Sequence, residues 1–475
     1  MTISIKPIEI KEYLEVPLAK LYKKTVSMQN RIPKAGKRDE HSSGKEESNC
    51  HYDLIIIGAG PSGLFCGINA MLAGKKILIL EKKNTPGHKI LISGSGQCNI
   101  THDGAILDFL DHYGDPGQSR FLRPALFGFT NSDLISFFNS KGLEMVREKD
   151  GKVFPKTRRA RDVLDILMEQ CREKEVIVKC NQAVMSITRN EVSGNESGFL
   201  VSCKGGSYRS RLLVIATGGR SYPATGSSGD GYRFAEILGH RIAETGPALT
   251  PLLIKEYPFS DLAGLSFPDM RISLYRHAKI REHQGDILFT HEGLSGPGIL
   301  DSSRFIRAGD NLKLSFVPDD KRKALEEWLL DKARQDGGKS ILSALADLSH
   351  VELPIVPLYP RLIKRILEIS GMPSDLQISQ LTRENRSSLV DILTGFPLVV
   401  SDLCGYNTAM VTRGGVERKE IDPKTMQSRL VKGLYLVGEV LDVDGDTGGY
   451  NLQAAFSTGM LAARSIRSNW IKSDN

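Results

Sequence analysis

The chain has 475 residues, 40% of them hydrophobic and 25% charged, which is typical of a soluble globular protein with two or three domains. Its net charge of +7 permits a polyanionic partner without requiring one. The seven cysteines contain no C-x-x-C pair, which argues against a zinc ribbon, a thioredoxin-like pair or a secreted disulfide framework. Because no apolar run is long enough to span a membrane and no signal peptide is visible, we expect a cytoplasmic protein without a membrane partner.

Residues 1–50 are predicted to be an N-terminal extension. A short helical piece around EYLEVPLAKLYKK precedes RIPKAGKRDEHSSGKEESN, which has no apolar periodicity. The second stretch is polar and is expected to be disordered. The folded protein is therefore expected to begin near residue 51.

A dinucleotide-binding unit is predicted immediately afterwards. DLIIIGAGPSGL is an apolar strand followed by G-x-G-x-x-G and a helix, and KKILILEKK supplies the second strand. The first glycine permits the tight turn, the second lets the backbone approach a pyrophosphate, and the third lets helix and strand pack closely. An acid at the end of the second strand accepts hydrogen bonds from ribose hydroxyls and disfavours NADP. The predicted cofactor-binding residues here are Gly58, Gly60, Pro61, Ser62, Gly63, Glu81 and Lys82.

A glycine-rich turn follows in GHKILISGSGQCNITH. Gly94, Gly96, Cys98 and Asn99 are predicted to bind the cofactor, because in flavoproteins the segment after the ribose-binding acid commonly runs back past the flavin. Cys98 is a candidate catalytic thiol, with a small buried filler as the alternative.

Two later strands end in further glycine turns. RLLVIATGG places Ala216, Thr217 and Gly218 after a strand. GLYLVGEVLDVDGDTGGYNLQ places Gly438 and Glu439 after another, and then Asp446, Gly448, Gly449, Tyr450 and Asn451 around a helix start. Such turns from distant segments would converge on one long ligand, and FAD is such a ligand. The helix after Gly448-Gly449 would direct its free N–H groups at the flavin ring.

An insertion separates these two parts. We expect an FAD-binding domain in residues 51–245 and 396–475, interrupted by a β domain in 246–318 and a helical subdomain in 319–395. His291, in the turn of FTHEGLSGPGILDSS, is a second catalytic candidate, with a structural histidine as the alternative. Arg413 could hold an anionic group or make a surface ion pair.

The spacing of the acids in LDVDGDTGGYNLQ is also compared with that of a calcium-binding loop. Asp442, Asp444 and Asp446 alternate as the first EF-hand ligands do, but Thr447 and Gln453 stand where the loop needs Gly and Glu. No metal site is therefore predicted, and the glycines are expected to form the site.

Six stretches together resemble the BaiN-like NAD(P)/FAD-dependent oxidoreductases over residues 52–470: DLIIIGAGPSGL, LISGSGQCNITH, ATGGRSYPATGSSGDGY, ILFTHEGLSGPGIL, VTRGGVERKEIDPKTMQS and LYLVGEVLDVDGDTGGYNLQAAFSTG. The resemblance implies an α/β fold, a Rossmann-like FAD-binding domain of the GR2 type interrupted by a β-barrel and a helical subdomain. The family pattern S-G-G-G-R-C-N-x-T-N is altered here by Ser95, Gln97 and His102.

The family also implies an activity. Its members reduce conjugated C=C bonds in steroid-like bile acids, oxidise a small amino ketone or make dihydrouridine in ribosomal RNA. We therefore expect NAD(P)H-driven hydride transfer from flavin N5 to an activated C=C of a small molecule or an rRNA uridine. Cys98 would be the proton donor, with His291 as the second candidate, and basic helices in 319–395 would contact RNA phosphates. The alternatives are a small-molecule oxidase or ene-reductase without an RNA role and a non-catalytic FAD-binding protein.

Overall fold

The computed structural model describes residues 51–192, 196–348, 351, 353 and 356–474. The extension predicted for residues 1–50 lies outside the described residues. The strands are β1 (His51–Ile57), β2 (Ile77–Leu80), β3 (Thr101–His102), β4 (Met145–Arg147), β5 (Lys152–Pro155), β6 (Ile177–Lys179), β7 (Val184–Val192), β8 (Glu196–Cys203), β9 (Gly206–Ile215), β10 (Ile242–Ala248), β11 (Leu252–Ile254), β12 (Ser266–Arg276), β13 (Ala278–Phe289), β14 (Gly293–Ser295), β15 (Asn311–Ser315), β16 (Phe396–Leu403), β17 (Val411–Val416) and β18 (Leu434–Leu436). The helices are α1 (Pro61–Ala70), α2 (His88–Ile92), α3 (Pro116–Gly128), α4 (Asn131–Ser140), α5 (Ala160–Glu173), α6 (Asp230–Ile237), α7 (Pro297–Ser302), α8 (Arg322–Gln335), α9 (Ile341–Asp347), α10 (Pro360–Ile369), α11 (Arg383–Gly395) and α12 (Tyr450–Asp474). In the described ranges, none of these helices combines the length and apolar character that crossing a membrane requires.

A seven-stranded sheet forms the centre of the first part. Its order is β6-β2-β1-β9-β8-β7, and β18 pairs with the C-terminal half of β9. The strands β6, β2, β1, β9 and β18 run parallel, whereas β7 and β8 are antiparallel. Leu54, Ile55 and Ile56 are fully buried, as expected for a parallel strand covered on both faces. This arrangement confirms the predicted Rossmann-like α/β fold.

The inserted part is a closed barrel with the strand order β11-β14-β13-β12-β15-β16. The insertion was predicted from the sequence to end at residue 395. The structure places its end later, because the last barrel strand is β16, which pairs with both β11 and β15. Burial alternates along this strand, with Phe396, Leu398 and Val400 facing the core. The chain therefore leaves the barrel only after Leu403.

The four helices α8 to α11 lie in the chain between β15 and β16 and share a core with the barrel. Leu325 of α8, Ile363 of α10 and Leu393 of α11 are buried in one cluster with the barrel residues Phe267 and Leu314. The barrel and the helices are therefore packed as one body. The antiparallel pair β10 and β17 carries the chain into and out of it.

Candidate active site

A cavity of about 710 Å³ lies where the ends of the parallel strands meet the barrel. This volume falls in the usual range for ligand sites, about 300–1,000 Å³. Most of the residues predicted to bind the cofactor line it, namely Gly58, Gly60, Pro61, Ser62, Glu81, Lys82, Gly94, Asn99, Ala216, Thr217, Gly218, Gly438, Glu439, Asp446, Gly448, Gly449 and Asn451. The structure thus brings together turns that are almost 400 residues apart in the chain.

Five predicted residues do not line the cavity: Gly63, Gly96, Cys98, His291 and Tyr450. Gly63 lies behind the first turn, and Tyr450 is buried beside the ring of His112, with the ring centroids 4.1 Å apart. His291 is exposed in the turn between β13 and β14. The catalytic roles of Cys98 and His291 remain predictions, and neither side chain is placed at the cavity.

The first glycine turn has the geometry that its three roles require. Gly58 has φ +107°, and a Cβ there would lie 2.5 Å from the carbonyl oxygen of Ala216. A Cβ on Gly63 would lie 2.0 Å from the carbonyl oxygen of Gly58. Gly60 differs, because a Cβ there would meet no atom within 4 Å. The middle glycine therefore opens onto the cavity, while the other two serve close packing.

The predicted ribose-binding acid is held by backbone donors. Glu81 accepts from the N–H of Ala59 at 3.0 Å and from the N–H of Lys83 at 2.9 Å. The neighbouring Lys82 pairs with Asp230 at 2.7 Å. This ion pair connects the end of β2 to the start of α6.

A second ion pair joins four distant segments at the cavity wall. Lys89 Nζ lies 2.6 Å from Glu439 Oε2 and 2.5 Å from the Ser221 hydroxyl. Glu439 Oε1 accepts from Ser221 Oγ at 3.0 Å and from the Thr412 N–H at 2.9 Å. Glu439, predicted from the sequence, and Lys89, which was missed, both line the cavity. Lys89 sits 350 residues before its partner, so no local pattern indicates this contact.

The acidic loop before α12 is held by arginines. Arg418 Nε donates to Asp442 at 3.0 Å, and Arg304 Nη2 donates to Asp446 at 2.6 Å. Arg304 Nε lies 3.3 Å from Asp444 Oδ2, and both side chains are almost fully buried. Burial raises the pKa of Asp442 to about 6 and also raises that of Asp444, against the opposing effect of the arginines. The three acids therefore have protein cations as partners.

Side chains from other elements complete the contacts of this loop. Gln118 donates to Asp444 at 3.2 Å, and His112 Nδ1 lies 3.0 Å from Asp446. Arg413 donates to the carbonyl oxygen of Arg304 at 3.3 Å and does not line the cavity. In the described ranges no cluster of His, Cys, Asp and Glu could hold a metal ion.

The glycines after this loop are required by their surroundings. Gly449 has φ +101°, and a Cβ there would lie 2.5 Å from the carbonyl carbon of Thr101. Asn451 connects helix α12 to the loop, because its Nδ2 donates to the carbonyl oxygen of Gly445 and its Oδ1 accepts from the Gly445 N–H, both at 2.8 Å. Helix α12 therefore begins at a fixed position on the cavity wall.

The turn that contains Cys98 is left-handed at several residues. Gly94, Ser95, Gly96 and Cys98 have φ between +53° and +86°. The thiol of Cys98 is 1% exposed, and burial raises its pKa to about 12, so it is neutral at physiological pH. Asn99 Oδ1 is buried next to the cavity and has no hydrogen-bond partner among the residues that the structure describes.

The three departures from the family pattern fall around the same turn. Ser95 and Gln97 line the cavity. Ser95 has φ +55°, which explains why glycine suits this position in the family. The rings of His102 and Tyr450 are stacked with their centroids 5.2 Å apart, and His102 Nε2 lies 2.9 Å from the carbonyl oxygen of Asp150. His102 therefore belongs to the packing around the start of α12.

The inserted barrel contributes an acid that sequence reasoning missed. Asp301 of α7 accepts from the N–H of Thr447 at 2.6 Å and from its hydroxyl at 3.2 Å. Burial and then the charge of Asp446 raise the pKa of Asp301 to about 6, although Thr447 and Arg304 lower it. Thr447 lines the cavity directly before Gly448. The sequence indicated Asp301 only indirectly, because this residue lies in FTHEGLSGPGILDSS, the stretch that contains the candidate His291.

The residues present fit FAD. The open face of Gly60 leaves room for a pyrophosphate, and no side chain caps the first turn of α1. The unpartnered Asn99 Oδ1 offers an acceptor to a ligand N–H or O–H group, and Gly448 and Gly449 border the same cavity. One long nucleotide ligand accounts for all of these features.

Comparison with known proteins agrees with this geometry. The family model described as "HI0933-like protein Rossmann domain" matches residues 52–465. A ribosomal RNA dihydrouridine synthase of Escherichia coli is 33% identical over 87% of this chain and 98% of its own length, and one of Haemophilus influenzae is 30% identical over 88% and 98%. A 3-dehydro-bile acid delta(4,6)-reductase of Clostridium scindens is 31% identical over 86% and 97%. The chain therefore belongs to the HI0933-like Rossmann family and is an FAD-dependent oxidoreductase.

Proposed function

We propose that this oxidoreductase reduces an activated C=C bond, that its natural substrate is uridine in ribosomal RNA, and that NAD(P)H is the reductant. The observation that carries the proposal is the near full-length similarity to two relatives named ribosomal RNA dihydrouridine synthase. A third relative, of a different substrate class, is also named a reductase. The shared element of these names is reduction.

The chain supplies the binding and orientation that such chemistry needs. Bound FAD would supply hydride chemistry here, as it does in flavoenzymes generally. Gly60 and the start of α1 would hold the pyrophosphate, and Glu81 would accept from the ribose. Gly448 and Gly449, at the start of α12, would border the ring and favour the negative charge that reduction places on it.

An apolar wall would receive the substrate next to these groups. Leu249, Pro297, Leu300, Met410 and Val411 line the cavity where the barrel joins the sheet. Met410 is 43% exposed and therefore stands at the opening. A uracil ring is flat and could lie on such a surface once it is unstacked from the RNA.

The charge distribution favours a different RNA contact from the one expected. The segment 319–395 contains 11 basic and 12 acidic residues, so its helices offer no net attraction to phosphate. The segment 141–161 contains eight basic and three acidic residues. It includes Lys152 and Phe154, which line the cavity. We infer that this basic segment, rather than the helices, contacts the phosphates around the target uridine.

The activity is tested by an anaerobic single turnover. The FAD-loaded protein is reduced, mixed with unmodified ribosomal RNA, and followed by flavin absorbance and by mass spectrometry of the nucleosides. Rapid reoxidation together with dihydrouridine is expected. Reduced flavin that persists in RNA, but is reoxidised by a small enone, would contradict the RNA substrate.

The RNA contact is tested separately with charge variants. Lys149→Ala combined with Lys156→Ala removes two exposed cations from the basic segment. RNA affinity should fall, and the slope of log K against log salt should decrease by about 1.4–1.8, since each phosphate contact contributes about 0.7–0.9. The control, Lys323→Ala with Arg334→Ala on α8, also removes two exposed cations and should change neither quantity. Equal effects of both pairs would exclude a specific role of the segment 141–161.

A small-molecule ene-reductase is the second candidate. It is favoured by the apolar wall, which also suits a flat hydrocarbon skeleton, and by the similarity to the bile acid reductase. This candidate predicts that RNA neither binds nor reoxidises the flavin, whereas a conjugated enone reoxidises it. The same single-turnover experiment distinguishes the two.

A further inference from the structure

Reduction of a C=C bond needs a proton as well as a hydride, and the two residues predicted to donate it do not reach the cavity. Cys98 is buried, His291 is exposed in the turn between β13 and β14, and neither residue lines the cavity. Tyr113 lines the cavity, but its hydroxyl donates to the carbonyl oxygen of Tyr450 at 3.0 Å, and burial raises its pKa far above the usual value. A side chain that does line the cavity would be better placed to deliver the proton than either of these two.

Thr447 and Asp301 have the required arrangement. Thr447 lines the cavity next to Gly448, and Asp301 lies behind it on α7. The Thr447 N–H donates to Asp301 Oδ1 at 2.6 Å, so this oxygen is engaged as an acceptor. In the neutral acid the proton then belongs on Oδ2, which lies 3.2 Å from Thr447 Oγ1. A protonated Asp301 would thus donate to the threonine hydroxyl.

The charges around Asp301 keep this acid available near neutral pH. Burial is the main cause that raises its pKa to about 6, and the neighbouring Asp446 carboxylate raises it further. The hydrogen bonds from Thr447 and the guanidinium of Arg304 oppose this change. The barrel insertion therefore places a weak acid one hydrogen bond from the cavity.

We propose that Thr447 Oγ1 donates the proton to the substrate carbon next to the hydride acceptor and that Asp301 replaces it from Oδ2. The inference rests on the proposed reduction of a C=C bond. The Thr447 O–H bond breaks as the C–H bond forms, and the Asp301 O–H bond breaks as the Thr447 O–H bond is restored. The carboxylate that remains takes up a proton from solvent after the product leaves. Thr447 is then a catalytic residue, and Asp301 acts through it as a positioning residue.

The test is the pH dependence of substrate-driven flavin reoxidation in three variants of the FAD-loaded enzyme. For the wild type, the rate should fall about tenfold per pH unit above about pH 6, since only protonated Asp301 supplies the proton. Asp301→Asn should be slower by roughly 10²-fold and lose this dependence. Thr447→Val should show the same loss, and Thr447→Ser should restore the rate. The control Glu292→Gln changes an exposed acid on the same barrel and should match the wild type.

Two further measurements separate catalysis from folding. Asp301→Asn should keep the flavin absorption spectrum and the FAD dissociation constant. Infrared difference spectra of the wild type should show protonated carboxyl intensity that titrates near pH 6 and comes from both Asp301 and Asp442. Asp301→Asn should remove the Asp301 part of this intensity and leave the Asp442 part. If Asp301→Asn kept the rate and the pH dependence of the wild type, proton transfer from Asp301 through Thr447 would be excluded. The proposed function would still be supported in that case, as long as the wild type forms the dihydro product. A wild type that reduces no alkene would exclude both.

Discussion

Replacing Arg304 by methionine tests how the acidic loop is stabilised. The Arg304 side chain is 4% exposed and contacts Asp446 Oδ1 at 2.6 Å, Asp444 Oδ2 at 3.3 Å and the Asp444 carbonyl oxygen at 3.1 Å. Methionine retains most of the buried volume but leaves the acids without their cation. Breaking a buried pair by removing one partner costs about 3–5 kcal/mol. Asp446 is 26% exposed and can be hydrated, so the loss is mainly that of Asp444, and we expect about 3 kcal/mol.

The sign of the pH dependence follows from Asp444. Burial raises its pKa in the folded protein above the unfolded value, and loss of Arg304 raises it further. The penalty of an unpaired Asp444 is therefore complete above the folded pKa and shrinks as the pH falls toward the unfolded pKa of about 3.9. The destabilisation by Arg304→Met should be smaller at pH 5 than at pH 8.

The assay is urea unfolding at these two pH values with saturating FAD, together with the FAD dissociation constant from flavin fluorescence. Arg276→Met is the matched control, because Arg276 pairs with the buried Asp310 at 2.7 Å within the barrel. Both variants should lose stability, but only Arg304→Met should bind FAD more weakly. Equal FAD affinity in the two variants, or a loss below about 1 kcal/mol at both pH values, would refute the reasoning.

Four further substitutions test the glycine turns. Gly60→Ala should weaken FAD binding and leave the stability of the apoprotein unchanged, because its Cβ would enter the open cavity. Gly63→Ala should unfold at a lower urea concentration, because its Cβ would lie 2.0 Å from the carbonyl oxygen of Gly58. Ser95→Gly should raise the unfolding free energy by about 1 kcal/mol, since the left-handed backbone costs an L-residue roughly 1–2 kcal/mol, and a lower midpoint would contradict this. Cys98→Ala should retain turnover within about twofold, because its thiol does not line the cavity and its raised pKa makes it a weak acid, and a loss near 10²-fold would restore it as the proton donor.

The fold and the nucleotide contacts were accessible from the sequence because they depend on local patterns. Gly58, Gly60 and Gly63 follow an apolar strand at fixed spacing; Gly58 and Gly63 make the close backbone approaches predicted for them, and Gly60 borders open space in the cavity. The end of the insertion was missed because β16 follows directly on α11, with no loop to mark the change. The similarity of the chain to its relatives confirms the FAD-dependent family that these motifs indicated.

The residues around the part of the cavity predicted to hold the flavin ring could not be predicted from local patterns. A glycine-rich context predicts that Cys98 is near the cofactor but does not tell which way its side chain points. Lys89, Asp301 and Arg304 become site residues only through contacts with Glu439, Thr447 and the acidic loop, which are about 140 to 350 residues away. Such contacts depend on how the barrel docks against the sheet, and no periodicity encodes that.

The late position of β18 has a consequence for biosynthesis. This strand pairs with β9, yet about 220 residues separate Ile215 from Leu434 in the chain. At about 5–20 residues per second, a ribosome needs roughly 10–45 s to make that stretch. During this time the C-terminal half of β9 lacks its partner, and Glu439 and the start of α12 have not been made. Capture of the cofactor therefore has to wait until the chain has been made through the start of α12, and a chaperone that shields this edge should increase the yield of FAD-loaded protein.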